Sequence, residues 1–177
     1  MGVEVQNPNP LSAFQSNAAA PKLIRASKTF TGAANLGAVG VNELFTTTGC
    51  IALESLFVRC TDDLVDAVDG ALFKIGVTGK DYLFTGSDFE GAFDLDTIDT
   101  GDMLSPASGG ATDGFGLNIA FDTANWSPYF RSEAIVDNII MTISTQAITG
   151  GTLQFFILYR PLTSDGALTL GAGMTAI

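Results

Sequence analysis

The sequence predicts an all-β protein, an antiparallel jelly-roll-like β-sandwich with an extended N-terminal arm. Three observations predict it. Most of the chain from Lys28 onward divides into short apolar-rich runs bounded by Gly, Asp, Thr and Ser, the pattern of strands and turns. Helical periodicity is nearly absent: "SNAAAP" (16–21) is the one helix-like stretch, and Pro21 ends it. No self-similarity at a period of about 20 to 50 residues stands out, which argues against propellers and solenoids.

Residues 1–26 read as the arm. In Asn7-Pro8-Asn9-Pro10 each residue before a proline is pushed to extended geometry. Leu11, Phe14, Leu23 and Ile24 are separated apolar anchors, suited to a segment laid across another surface. Residues 1–29 set Glu4 against Lys22, Arg25 and Lys28, a net +2, while the rest carries 18 acidic and 5 basic residues, a net −13. A mildly basic arm on a strongly acidic body suits an acidic neighbour. Leu11, Phe14, Lys22, Leu23, Ile24, Arg25 and Lys28 are therefore the candidates for contact with a partner.

The body is expected over 27–166. "SKTFT" reads as a short strand, "GAANLGAVG" as a loop and "VNELFTTT" as a strand closed by Gly49. "CIALESLFVRC" (50–60) is a long strand, and "TDDLVDAVDG" a loop or a helical turn between Asp62 and Gly70. "ALFKIGV" and "DYLFTG" suggest a hairpin across Thr78-Gly79-Lys80. Residues 86–114 are acidic and rich in Gly, Ser and Thr, a long loop with at most one short element. "FGLNIAFD" is a strand, and "SPYFRSEAIV" fits either class. "DNIIMTIST" and "GTLQFFILY" are expected to pair as a hairpin through "QAITG". The tail 167–177, "ALTLGAGMTAI", is too apolar to lie free in water. Roughly eight strands result, enough for two packed sheets.

The strand 150–161 carries most information. Leu153, Phe155, Ile157 and Tyr159 share one face, and Thr152, Gln154, Phe156, Leu158 and Arg160 the other. Both faces are apolar through the middle, so both should be covered. One covers the core. Phe156 and Leu158 on the other are candidates for a subunit interface, as are Trp126, Tyr129 and Phe130 in "NWSPYF", whose alternatives are core positions or an aromatic carbohydrate platform.

At 177 residues, the chain is 46% apolar and only 15% charged, a composition that suits partly covered apolar surface. The longest apolar run, Phe155–Tyr159, is far short of the ~20 residues of a membrane helix, and no membrane association is expected. The first residues have neither the basic start nor the apolar core of a signal peptide, and Gln6 stands where a myristoylation signal takes Ser or Thr; synthesis in a cytoplasm is expected. A net charge of −11 is the wrong sign for nucleic acid. Cys50 and Cys60 would lie ~33 Å apart along one strand, too far for a disulfide.

The chain contains no histidine, which excludes Ser-His-Asp and Cys-His catalysis and the commonest zinc ligand. Asp99-Thr100-Gly101 is the aspartic-protease tripeptide, but it follows "DLDTI" rather than a hydrophobic strand, and no second copy faces it in the sequence. Gly79-Lys80 lacks the upstream Gly and downstream Ser or Thr of a phosphate loop. Asp94, Asp96 and Asp99, with Asp102, offer hard oxygens to calcium, but outside the EF-hand pattern, since Asp99 replaces its Gly and Ser105 its Glu. A solvated acidic loop is the simpler reading. No catalytic residue, cofactor or metal is assigned.

"FTGAANLGAVGVNELFTTTG" (30–49), "CTDDLV" (60–65) and "GGTLQFFILYRPLTSDG" (150–166) resemble a family of small tailed-bacteriophage virion proteins, some of them head decoration (cement) proteins. The resemblance spans residues 28–166 and is strongest at both ends. It implies a non-enzymatic jelly-roll-like protein, trimeric, seated on the outer capsid surface, its arm reaching over neighbouring major capsid protein subunits. A tail, neck or fibre-base part of the virion, and a carbohydrate-binding sandwich, are the alternatives.

Overall fold

The computed structural model describes residues 20–68, 70–78, 93–94, 98–106, 115–117 and 133–177. They form twelve strands: β1 (Lys22–Thr29), β2 (Gly40–Thr48), β3 (Ile51–Asp66), β4 (Leu72–Val77), β5 (Phe93–Asp94), β6 (Met103–Pro106), β7 (Phe115–Leu117), β8 (Glu133–Ile135), β9 (Ile139–Ser144), β10 (Ile148–Pro161), β11 (Ala167–Leu170) and β12 (Thr175–Ala176). There is no helix among the described residues.

Two antiparallel sheets pack into a sandwich. The larger runs β12-β1-β10-β3-β6-β7, with β8 also on β3, and the smaller runs β11-β2-β9-β4-β5. β6 pairs with β3 at Val58 and Arg59, and β8 pairs at Ile51–Leu53, so the two share one edge of β3 at different heights. The central sets are then β1-β10-β3-β8 and β2-β9-β4-β5. Among the described strands the chain changes sheet at every link except β4–β5, β6–β7 and β7–β8, which is the interleaving of a jelly roll.

β10 and β3 are the axis. Their register pairs Leu153 with Cys60, Phe155 with Val58, Ile157 with Leu56 and Tyr159 with Leu53, and all eight of these side chains are buried. β9 faces them with Ile139, Met141 and Ile143, β4 with Phe73 and Ile75, and β2 with Leu44 and Phe45. Phe45 meets Phe155 edge-on across the two sheets, centroids 6.2 Å apart. At the start of β9, Asn138 joins elements by its side chain: it accepts from the Thr47 amide at 2.9 Å and donates to Glu43 at 2.7 Å.

Several expectations are corrected. β9 and β10 are not a hairpin. β9 pairs with β2 and β4, whereas β10 pairs with β1 and β3, and the short link through Thr145 (φ 70°) carries the chain to the opposite sheet. Alternation marks which side chains face the core, but it cannot say which sheet presents them. The 61–70 segment is neither helix nor loop as far as Asp66, because Leu64 turns into the core and Val65 continues the pairing with Gly150. Asp66, not Asp62, closes the following turn by accepting from the Ala71 amide at 2.8 Å. The described residues of the stretch 86–114 contribute two short strands, β5 and β6, rather than one element. The boundary expected at residue 26 falls inside β1. The tail 167–177 is built into the sandwich, β11 on the smaller sheet and β12 on the larger. The hairpin expected across 78–80 lies outside the described residues in its second half.

β10 enters the sheet through bulges at Gly150 and Gly151. Gly151 has φ 93°, and a Cβ there would lie 2.3 Å from the Asp63 carbonyl oxygen. Its own carbonyl accepts from the Phe30 amide at 3.0 Å. Gly151→Ala is expected to destabilise the fold by more than about 1 kcal/mol, measured by urea unfolding.

Candidate functional site

The outer faces of the two sheets differ. The smaller sheet turns Glu43, Thr142, Ser144 and Lys74 outward, all half-buried, and with them Ile140 and the 62%-exposed Val41, a face of mixed character. The larger sheet gathers its apolar residues together. Strand register aligns its outward residues in rows across β1, β10 and β3: Leu23–Leu158–Ser55, then Arg25–Phe156–Phe57, then Ser27–Gln154–Arg59. Met103 of β6 continues the last row beside Arg59. Leu23 is 60% exposed, Phe57 44% and Met103 37%. Phe57, Arg59, Gly101, Met103 and Phe156 line a shallow open hollow in this face.

Polar groups frame the patch. At one end Arg160 and Glu54 form an ion pair at 2.6 Å; the shift of register between Leu158 and Tyr159 leaves Glu54 unopposed on β10 and frees it for that contact. At the other end the Thr29 and Thr152 hydroxyls meet at 3.1 Å, and Asp62 stands opposite Thr152. Beyond lies the 98–102 turn. Asp63 accepts from the Thr100 amide at 2.6 Å and from its hydroxyl at 2.5 Å. These bonds favour the ionised carboxylate and hold the Asp63 pKa below its ordinary value.

The expected contact residues divide. Leu23 and Arg25 lie on the outward face of β1 and join Phe156 and Leu158 in the patch. Lys22 is exposed at the strand end, and Ile24 turns inward, packed against the core. Lys28 is corrected: it occupies an inward position of β1 and is fully buried, so it offers no surface to a partner. Leu11, Phe14, Asp96, Trp126, Tyr129 and Phe130 lie outside the described residues. Asp94 is in β5, and Asp99 is exposed beside Asp102, whose carboxylate accepts from the Asp99 amide at 2.9 Å. Among the described residues no three His, Cys, Asp or Glu side chains group to hold a metal ion, and no helix is long and apolar enough to cross a membrane. Both cysteines are free thiols, Cys60 buried and Cys50 half-buried.

Phe57, Arg59 and Met103 are the patch residues that the sequence reading missed. "ESLFVRC" reads only as a strand, yet it carries a signal: Phe57 and Arg59 share a parity opposite to Leu56 and Val58. What was lacking was the register that sets them beside Phe156. Met103 lies in the acidic 86–114 stretch, where no such alternation marks it.

Lys28 seals one end of the sandwich. Its ammonium donates to the Asn35 carbonyl oxygen in the 31–39 loop and lies 5.9 Å from the Phe30 ring centre. No carboxylate contacts it among the described residues, and burial lowers its pKa from 10.5 to about 8. The rest of the loop is fixed by Gly32 donating to the Ile148 carbonyl at 3.0 Å and by Ile148 donating to that of Gly37 at 2.9 Å. Asn42, the other buried polar residue among the described residues, donates to the Ala38 carbonyl at 3.0 Å.

The class so defined is an all-β antiparallel sandwich with jelly-roll interleaving and one apolar, arginine-flanked outer face. Compared with protein-family models, with curated proteins and with solved structures, the chain finds no match.

A pH dependence follows from Lys28. Below about pH 8 the residue is protonated in both folded and unfolded chains, and the folded state bears the cost of the buried charge. Between about 8 and 10.5 the unfolded chain binds a proton that the folded chain has lost, so stability rises with pH. Relative to Lys28→Met, the native protein is expected to gain about 3 kcal/mol between pH 7 and pH 10.5, measured as the difference between parallel urea titrations. A pH-independent difference would refute the assignment.

Proposed function

We propose that this chain is a non-enzymatic structural protein of a tailed-bacteriophage virion: a head decoration (cement) protein that binds the outside of the shell as a homo-oligomer and bridges neighbouring copies of the major capsid protein. The observation that carries this reading is the outer face of the larger sheet. Phe57, Phe156, Leu158, Leu23 and Met103 lie together there, flanked by Arg25 and Arg59, and arginine and aromatic residues are the types enriched where proteins bind each other. A soluble sandwich with no partner would favour a polar face there.

The resemblance to phage virion proteins supports the same reading, and its stretches have structural roles. Residues 30–49 comprise the loop that Lys28 and Ile148 hold, followed by β2; residues 150–166 are β10 and the turn after it. Both stretches build the frame of the sandwich, as expected of motifs kept for architecture rather than for a reaction. The segment before Lys22, which carries Leu11 and Phe14, is assigned the contact to the shell.

Two measurements test this. Virions labelled with an antibody to the chain are expected to carry label over the head; label confined to tail or neck would replace the reading with a tail, neck or fibre-base part. A protein lacking residues 1–19, which leaves β1 intact, is expected to fold and to lose saturable binding to purified shells. Full binding by that truncated protein would remove the segment from the contact.

A further inference from the structure

We infer that the apolar patch on the larger sheet is the surface by which the chain binds a second copy of itself, the acidic end of β3 in one copy meeting Arg25 and Arg59 of the other. This rests on the reading of the chain as an oligomeric structural protein and names the partner of that patch.

The argument is one of charge. Six basic residues are described: Lys22, Arg25, Lys28, Arg59, Lys74 and Arg160. Lys22 is exposed at the end of β1, away from the Arg25–Phe156–Phe57 row, Lys28 is buried, Arg160 is paired with Glu54, and Lys74 lies on the other sheet. Arg25 and Arg59 are exposed on the patch, and neither is in an ion pair among the described residues. They border Phe57 and Phe156, where association would desolvate them, so a partner must bring carboxylates.

The chain itself presents such carboxylates on the same side of the molecule. Asp62 follows Arg59 by three residues on β3, roughly 10 Å along the strand. Asp62, Asp63 and Asp99 are all exposed at that end. Asp63 is occupied by Thr100, whereas Asp62 and Asp99 make no side-chain hydrogen bond among the described residues. Opposite charges set side by side around an apolar centre form a self-complementary pattern: one copy offers both the arginines and the acids that a second copy needs. The net charge of −11 sharpens the requirement. Two such chains repel at long range, and close contact is favourable only where the few exposed cations meet the acids of the other copy.

Sedimentation velocity on the full chain, with no shells present, tests the inference. The native protein is expected to be oligomeric. Arg25→Glu with Arg59→Glu should weaken self-association roughly 100-fold, and Asp62→Lys with Asp99→Lys should do the same. Combining all four substitutions restores opposite signs across the contact and should restore the oligomer. Far-UV circular dichroism and thermal melting confirm that each variant is folded. A monomeric native protein, an Arg25→Glu, Arg59→Glu variant that associates like the native chain, or a folded fourfold variant that stays monomeric would each overturn the inference. Virion labelling is independent of this result: label missing from particles would remove the phage reading and leave the self-association standing.

Discussion

The pairing of β3 with β10 is the constraint on which the rest of the structure depends. These are the two longest strands, and they lie side by side at the centre of the larger sheet. Their register fixes two surfaces at once. Inward, it stacks Leu53, Leu56, Val58 and Cys60 beside Tyr159, Ile157, Phe155 and Leu153 to form one wall of the core. Outward, it sets Phe57 beside Phe156 and Arg59 beside Gln154. A slip of one residue would turn the core wall to solvent and bury the arginines, so folding selects the register through the inner face and thereby arranges the outer patch. The bulges at Gly150, Gly151 and Glu54 lie at the ends of the ladder, where they re-aim the chain without disturbing its middle.

That coupling explains which parts of the fold were legible in the sequence. The two faces of β10 could be read residue by residue from Leu153 to Arg160, because a strand with period two declares its faces without reference to any neighbour. Pairing partners could not be read in this way. "DNIIMTIST" and "GTLQFFILY" look like a hairpin because each is a good strand and the link between them is short, yet in a jelly roll successive strands cross between sheets and fill one core from opposite sides. The same limit hid Phe57 and Arg59, whose parity was visible and whose neighbours were not. Lys28 misled for another reason. A lysine in a basic segment is usually solvated, and only the inward parity of Ala26 and Phe30 on either side of it pointed into the core. The expected arm boundary at residue 26 falls inside β1 because Leu23 and Ile24 look like isolated anchors, whereas β1 pairs them with Leu158 and Ile157 of β10.

Lys28 is the local counterpart of the central ladder. The 31–39 loop has few side chains able to hold it: Ala33, Ala34, Gly37 and Ala38 offer little beyond their backbone. Part of its backbone is satisfied within the loop, where Thr31 and Gly32 donate to the Leu36 carbonyl and Leu36 and Ala38 donate to that of Ala33; the body supplies the remainder. Ile148 supplies one donor and one acceptor, Asn42 supplies a donor, and the Lys28 ammonium reaches the Asn35 carbonyl. An apolar residue at position 28 would fit the core more cheaply but would leave that carbonyl without the ammonium. The buried charge thus ties to the body a loop whose own bonds run only through its backbone.

The contrast between the two sheet faces bears on the selectivity of the proposed contact. Phe57, Phe156 and Leu23 on a broad open face would invite indiscriminate sticking if nothing opposed it. Arg25 and Arg59 lie directly within or beside these rows, and any partner that covers the phenylalanines must also desolvate two guanidinium groups. An apolar surface without acids cannot do so at acceptable cost, and an acidic surface without apolar groups gains little from the contact. The patch therefore discriminates by demanding both properties together. In the proposed contact, the arginines that would recruit the right surface would also exclude the wrong ones, and the net negative charge of the rest of the chain would keep unmatched copies apart.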